Sequence, residues 1–251
     1  MLDPGKVLED LALGCGIGYV GGVFGISGGI VAIPALAFLG LPQQLAQGTS
    51  LIGQLPSVAM GVFQYRRRSN LDLRLVRNLV LGAAPFALLG AITANTISSA
   101  SLRRAFALFI VAMASYTLWN ALRRRDAAVE RRRITLPLAF GVGAISGFLS
   151  GIFGIGGAAF AIPTLTLLFG LPQTEAQGFG LVVILPSIVI SIITYAHAGQ
   201  VDWKTGIPLG IGSITAVSLG VALAHRLPDR VLRLAFCALL YAGAGALWSR
   251  V

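Results

Sequence analysis

Charged side chains are scarce in this sequence. Only 11% of its 251 residues are charged and 56% are hydrophobic, whereas average soluble domains carry about 25% charged residues. Six long runs contain no Asp, Glu, Lys or Arg, and they cover residues 11–65, 78–102, 105–122, 134–174, 176–201 and 205–225. A helix needs about 20 apolar residues to cross a bilayer. The scarcity of charge excludes a soluble globular protein and predicts an all-α, multi-pass membrane protein.

Cysteine, histidine and acidic residues are also few, at two, two and nine. Cys15 and Cys237 both lie in apolar runs, which excludes a disulfide framework and gives no metal-ligand spacing. No Ser/His/Asp arrangement, histidine cluster or carboxylate pair supports catalysis. We therefore predict a protein that is not an enzyme, with no catalytic residues, no metal site and no cofactor.

Basic residues outnumber acidic ones and give a net charge of +10. They lie in short clusters between the apolar runs, as cytoplasmic loops do under the positive-inside rule. The partner we expect is therefore the lipid bilayer, and not a nucleic acid.

Glycine and proline, in contrast, are abundant and recur in one register. The stretch F-G-I-S-G-G at 24–29 matches F-G-I-G-G-A at 153–158, and Pro34 matches Pro163, 129 residues later. Further matches follow with one inserted residue, pairing 40–43 with 170–173, 46–48 with 176–178 and 55–57 with 185–187. Such a register predicts two copies of one transmembrane repeat, 1–122 and 134–251, joined by a basic cytoplasmic link at 123–133.

Each copy has the same predicted elements. A long apolar segment broken by glycines comes first, at about 7–39 and 134–170. Three plain helices follow in each copy, at about 47–65, 78–97 and 104–122 in the first and 177–196, 205–224 and 231–249 in the second.

The basic clusters differ between equivalent loops of the two copies. Arg66, Arg67 and Arg68 correspond to 196–198, which has no fixed charge, and loop 225–233, with Arg226, Arg230 and Arg233, corresponds to loop 95–104, which has Arg103 and Arg104. This difference predicts inverted repeats, inserted in opposite directions, whose broken first segment is re-entrant. The alternative is two parallel copies with a first segment that crosses once.

The glycine-rich breaks at 25–29 and 154–157 are the main candidates for a binding site. Broken backbone is tolerated in lipid only where protein buries it or water reaches it, and a break creates a helix N-terminus that attracts anions. The alternative is close helix packing through small residues. We favour packing for the ladder formed by Gly14, Gly18 and Gly22 and its second copy.

The sequence thus predicts one small anion bound between the two breaks, near the bilayer midplane. Polar residues that start the next helix join the predicted site, although N-capping explains their hydroxyls equally well. The predicted substrate-binding residues are Ser27, Gly28, Gly29, Gln47, Thr49, Ser50, Gly156, Gly157 and Gln177.

Other polar residues are weaker candidates. Gln54 lies within the span, Tyr65 and Tyr195 are expected as membrane-interface anchors, and Asp72 and Asp202 are expected to cap helices or pair with arginine. No carboxylate within the apolar runs is an evident ion carrier, so the coupling ion, H⁺ or Na⁺, is left open.

The duplicated motif F-G-I-S-G-G-x4-P-A-L with G-L-P-x3-A-Q-G-T-S resembles that of the TauE/SafE family of membrane proteins, over essentially the whole chain. The resemblance implies an exporter of sulfite or related organosulfonates in a prokaryotic-type cytoplasmic (cell) membrane. We expect this exporter to be a secondary carrier that works by alternating access of its two halves. Phe179-Gly180 replaces Thr-Ser in the second copy, so unequal contributions of the copies to the site stay open. An anion channel with the same site is the alternative, a membrane assembly factor is a weaker one, and a homodimer is one option for the oligomeric state.

Overall fold

The computed structural model describes residues 4–24, 27–68, 72–123, 134–171, 173–224 and 226–248. These residues form ten helices and no strand. The helices are α1 (Pro4–Phe24), α2 (Gly29–Phe38), α3 (Gln43–Arg68), α4 (Leu73–Thr96), α5 (Ser99–Arg123), α6 (Leu136–Phe153), α7 (Ala158–Phe169), α8 (Gln173–His197), α9 (Trp203–Ala224) and α10 (Asp229–Trp248). The predicted link 123–133 lies outside the described residues except for Arg123, which ends α5.

Both first segments are broken where the glycines predicted. In the first copy α1 ends at Phe24 and α2 begins at Gly29, and in the second copy α6 and α7 are separated by residues 154–157. Gly154, Gly156 and Gly157 have φ values of +68°, +74° and +67°, a region in which a Cβ atom is disfavoured. The second break therefore requires glycine at these three positions.

The plain helices are longer than predicted, mainly at their starts. We expected α3 to begin near residue 47, yet it begins at Gln43, and the Ala46 N–H already donates to the Pro42 carbonyl, at 2.9 Å. The polar residues before the apolar run thus belong to the helix, since glutamine is a good helix former.

The most extensive helix contacts connect one copy to the other, α1 with α9 and α6 with α4. The glycine ladder of α1 makes this possible, because its Cα atoms lie directly against the backbone of α9 at Leu209, Ser213 and Val217. The ladder of α6 does the same against Leu79, Ala83 and Ala87 of α4. These glycines serve close helix packing, as predicted.

The equivalent helices α3 and α8 cross in opposite directions. Gln47, near the start of α3, contacts Tyr195, near the end of α8. Gly61, further along α3, lies against Leu181, near the start of α8. An inverted repeat requires this antiparallel crossing. The orientation of each copy in a bilayer stays a prediction.

The molecule presents apolar side chains outward and keeps many polar ones inside. Within the described parts of the chain, six helices are long and apolar enough to cross a membrane, namely α1, α4, α6, α9, residues 99–119 of α5 and residues 175–197 of α8. Large side chains such as Leu88, Leu108, Phe140 and Ile211 are exposed. Gln47, Thr49, Ser50 and Gln54 are fully buried. Polar groups inside a membrane protein commonly mark a substrate pathway.

Candidate functional site

The two helix breaks meet each other inside the protein. Ser27 donates a hydrogen bond from Oγ to the carbonyl oxygen of Ile155, at 2.5 Å, and its side chain is 1% exposed. Gly156 lies directly against the Ser27 side chain. The break of one copy thus touches the break of the other, and the N-terminal ends of α2 and α7 converge.

Both breaks turn back onto the helix that precedes them. Gly28 packs against Ile17 of α1, and Gly157 packs against Ser146 of α6, which is the equivalent residue. An added side chain at either glycine would overlap the carbonyl of that helix. These two predicted ligands therefore form the turns, and substituting them would test the fold as well as binding.

The second break leaves backbone donors without acceptors. Ala158 N–H donates to the Gly156 carbonyl at 2.8 Å, and Phe160 N–H donates to the Gly157 carbonyl at 3.1 Å. In the described part of the chain, the N–H groups of Gly156, Gly157 and Ala159 have no acceptor. Free N–H groups at a helix N-terminus are the usual protein ligands of an oxyanion.

One face of α3 places polar groups against both breaks. Gln47, Ser50 and Gln54 follow one another at helical spacing, so they share a face. Gln54 Nε2 donates to Ser50 Oγ at 3.1 Å and to the Gly154 carbonyl at 3.0 Å. Its Oε1 has no partner among the residues that the structure describes, and the amide lies directly beside Gly29, the first residue of α2. Gln54 therefore bridges the two breaks.

Gln47 offers a free donor beside the second break. Its Oε1 lies 2.9 Å from Tyr195 Oη, which also lies 3.0 Å from the Gly151 carbonyl. The Gln47 Nε2 atom is buried and has no partner among the described residues. Gly154 packs against the Gln47 backbone and Cβ. The arrangement can present the amide N–H₂ group to an anion.

Two predicted ligands contact other groups. Thr49 Oγ1 accepts a hydrogen bond from the Asp202 N–H at 2.9 Å, which directs it to the loop between α8 and α9. Gln177 Nε2 donates to the Phe24 carbonyl at 3.5 Å, so it reaches the first break from the second copy. The structure brings together Ser27, Gly29, Gln47, Ser50 and Gly156, while substrate contact by any of the predicted ligands stays a prediction.

Tyr195 was expected at the membrane interface, and this expectation is wrong. The side chain is fully buried, because the protein supplies partners for its hydroxyl in Gln47 and Gly151. Proximity to the end of α8 suggested an anchor, but the sequence carries no sign of a partner 148 residues away.

Sequence reasoning also missed three buried serines near this region. Ser146, Ser150 and Ser191 are at most 1% exposed, and their hydroxyls have no partner among the described residues. Ser146 and Ser150 lie one turn apart on α6, at positions where the first copy has Ile17 and Gly21. A residue-by-residue comparison of the two copies reveals these serines, because the first copy has no hydroxyl at the equivalent positions.

Asp72 and Asp202 cap helices, which was one of the two roles expected for them. Asp72 Oδ1 accepts from the Arg74 N–H at 2.8 Å at the start of α4. Asp202 Oδ1 accepts from the Lys204 N–H at 3.0 Å at the start of α9. Within the described ranges, no group of three or more His, Cys, Asp or Glu residues could hold a metal ion.

Fold and site together define a multi-pass membrane protein whose two broken helices meet at a buried polar centre, an architecture found in secondary transporters. Residues 11–247 match the family described as "Sulfite exporter TauE/SafE". The chain belongs to this family and is a membrane transporter of the TauE/SafE type.

Curated relatives agree with this assignment over nearly their full length. The chain is 26% identical to the probable membrane transporter protein YunE of Bacillus subtilis (strain 168), over 93% of this chain and 97% of that protein. It is 28% identical to the probable membrane transporter protein YdhB of the same strain, over 90% and 92%. It is 27% identical to a probable membrane transporter protein of Methanocaldococcus jannaschii, over 89% and 88%.

Proposed function

We propose that this protein exports a small anion, sulfite or an organosulfonate, by alternating access of its two halves. The observation that carries the proposal is the meeting of the two breaks beside the unpaired Gln47 amide. The free backbone N–H groups of Gly156, Gly157 and Ala159 and the free Gln47 Nε2 group supply hydrogen-bond donors at the second break. Donors of this kind suit an oxyanion.

The site attracts charge without containing a fixed charge. A Lys or Arg at the centre of a membrane helix disfavours insertion by about 2.5–3.5 kcal/mol, and none occurs in the sequence from residue 11 to 65 or from 134 to 174. Two converging helix N-termini supply partial positive charge instead. An anion held in this way is neutralised only in part, which favours its release on the far side.

Ser27 supplies a means of coupling binding to movement. Its single hydroxyl proton is donated to Ile155 of the other copy, so the same proton is not available to an anion at the same time. An anion that takes this hydrogen bond breaks the contact between the two breaks. Binding would then loosen the halves from each other, as alternating access requires.

The test is anion flux in proteoliposomes, with sulfite and a small organosulfonate as substrates. Gln47→Leu removes the free donor, and a hydrogen bond to a charged group contributes about 1.5–3 kcal/mol. We expect the apparent KM to rise by about tenfold to a hundredfold. The site proposal fails if the Gln47→Leu protein transports with the wild-type KM.

Gln44→Leu is the matched control on the same helix. The Gln44 amide donates to Ala94 and Ile97 at the end of α4, away from the breaks. Its KM should stay within about twofold of wild type at equal folded protein. Saturable counterflow supports the carrier, whereas ohmic conductance without counterflow would favour the channel.

A further inference from the structure

One buried carboxylate plays no part in the anion site. Asp10 lies in α1 and is 5% exposed. It has no hydrogen-bond or ion-pair partner in the described part of the chain. An ionisable side chain within a membrane-spanning helix is a candidate functional group. The residue stands just before the first charge-free run, so the sequence did not reveal its burial.

The surroundings of Asp10 are fixed by the packing of α1 on α9. The two helices run in the same direction, with Gly14 against Leu209 and Gly212 against the Leu11 carbonyl. Asp10 is therefore level with the first turn of α9. There Thr205 Oγ1 donates to Asp202 Oδ2 at 2.8 Å.

Three charged groups act on Asp10 electrostatically, and they are Asp202 on α9 and Lys6 and Glu9 on α1. Lys6 and Glu9 are exposed, whereas Asp202 is half-buried. Asp10 thus lies within electrostatic range of a second carboxylate, Asp202, and of the Lys6 ammonium group.

The second copy shows that this packing does not need a carboxylate. The α6–α4 interface has the same register, with Gly143 against Leu79 and Gly82 against the Phe140 carbonyl. The residues equivalent to Asp10 and Thr205 there are Ala139 and Leu75, both buried. A carboxylate and a hydroxyl in one interface, with apolar side chains at the equivalent positions of the other, indicate a role other than packing.

The same polar group reaches the helix that carries the anion site. Thr49 of α3 accepts from the Asp202 N–H at 2.9 Å, and it stands two residues after Gln47. Gly48 packs directly against the Gln200 carbonyl of the same loop. In the second copy the residue equivalent to Thr49 is Phe179, which is buried and apolar.

We propose that Asp10 is the proton-binding site that couples anion movement to a proton gradient, a role that rests on the proposed transport function. A proton from water on one side binds a carboxylate oxygen and gives the neutral carboxyl group. The same proton leaves to water on the other side, and no other bond changes. The hydrogen bond from the Asp202 N–H to Thr49 connects this end of α9 to α3.

The experiment separates exchange from coupled transport in proteoliposomes with the membrane potential clamped. A pH difference of one unit should drive substrate to a concentration ratio of up to about tenfold in wild type. Asp10→Asn should keep counterflow within about twofold of wild type but lose gradient-driven accumulation, to a ratio of about one. Glu9→Gln, which changes the neighbouring exposed carboxylate, should keep both activities.

Two further measurements keep this test decisive. Asp10→Ala with Thr205→Leu reproduces the Ala139–Leu75 pair and should fold, exchange anion and fail to accumulate it. Infrared difference spectra between high and low pH should show a protonated carboxyl band in wild type that is missing in Asp10→Asn. This band tests the proton site even if wild type transports no anion, in which case only the transport function fails.

Three results would overturn the proposal. They are accumulation by Asp10→Asn equal to wild type, a wild-type spectrum without the Asp10 band, and accumulation in wild type driven by a sodium gradient instead. If Asp10→Asn lost both counterflow and accumulation, and the Asp10→Ala, Thr205→Leu protein regained both, Asp10 would serve packing. That result would overturn the proposal as well.

Discussion

The break at Gly28 and the break at Gly157 are built on one plan, yet their polar surroundings differ. Each turns against an equivalent point of the preceding helix, Ile17 in one copy and Ser146 in the other. In the second break three glycines have positive φ. In the first break the residue equivalent to Gly156 is Ser27, whose hydroxyl crosses to the other copy.

The helices that face the breaks differ more strongly. The second break contacts Gln47 and Gln54 of α3, whereas the residue of α8 equivalent to Gln54 is Ile184, a buried apolar side chain. Two copies are needed to hold two breaks against each other, because each ladder packs on the other copy. Only one copy needs the polar face, so the anion site is expected to lie on the side of the second break.

The largest expected effect concerns the packing that both copies share. The methyl group of Gly18→Ala would overlap the Ser213 carbonyl oxygen, and that of Gly147→Ala would overlap the Ala83 carbonyl oxygen. Backbone atoms cannot move aside unless the helices separate, so each change should lower the free energy of unfolding by about 1–3 kcal/mol. Thermal unfolding in detergent measures this loss, which should be similar in the two copies.

Gly16→Ala and Gly141→Ala are the controls, because an added Cβ at either position meets nothing within 4 Å. Alanine is the better helix former by about 1 kcal/mol, so both proteins should be at least as stable as wild type. If Gly18→Ala were as stable as Gly16→Ala, the ladder would not be a close backbone contact.

The packing of the ladder shows what the sequence reveals well. The register of glycines and prolines predicted two copies, the positions of both breaks and the role of the ladders, because backbone geometry restricts these residue types. Gaps in charge located the membrane helices for a similar reason, since lipid tolerates few charges.

Side-chain contacts across the fold were less accessible to sequence reasoning. Helical spacing groups Gln47, Ser50 and Gln54 on one face, but it does not say what that face contacts, nor that the Thr49 hydroxyl accepts from the Asp202 N–H. The burial of Tyr195 and Asp10 depends on residues more than 140 positions away. No local pattern encodes such partners.

The next largest effect is expected when α3 is given an apolar residue at Gln54, as α8 has at the equivalent position. Gln54→Leu leaves the Gly154 carbonyl without its donor, and an unpaired buried acceptor lowers stability by about 1–3 kcal/mol. Because this carbonyl belongs to the second break, anion affinity should fall by about fivefold to a hundredfold. Binding of sulfite by isothermal titration calorimetry gives the affinity, and thermal unfolding gives the stability.

Ser57→Ala is the control for Gln54→Leu, since the Ser57 hydroxyl donates only to the Gln54 carbonyl within the same helix. Its affinity for sulfite should match wild type. Wild-type affinity in Gln54→Leu would show that the second break keeps its shape without the bridging amide. The difference between the polar α3 and the apolar α8 would then have no role in anion binding.

A smaller effect is expected where the hydroxyl of Tyr195 orients Gln47. Tyr195→Phe removes the partner of Gln47 Oε1 and the donor to Gly151. One hydrogen bond contributes about 0.5–1.5 kcal/mol, so the apparent KM for sulfite should rise by about twofold to tenfold. Tyr19→Phe, at an exposed position, should not change the KM. An unchanged KM in Tyr195→Phe would mean that Gln47 needs no orienting partner.

The smallest effect concerns Thr49, whose equivalent in the second copy is Phe179. Thr49→Val removes the acceptor of the Asp202 N–H but keeps the shape of the side chain. A neutral hydrogen bond contributes about 0.5–1.5 kcal/mol, so hydrogen–deuterium exchange at the Asp202 amide should accelerate by about twofold to tenfold. Thr49→Ser keeps the oxygen and should exchange at the wild-type rate. Transport should change little in Thr49→Val, because the hydroxyl faces the loop and not the breaks. A hundredfold loss of sulfite affinity with unchanged exchange at Asp202 would place the Thr49 hydroxyl on the anion instead, and both glycine breaks would then share a site with the start of α3.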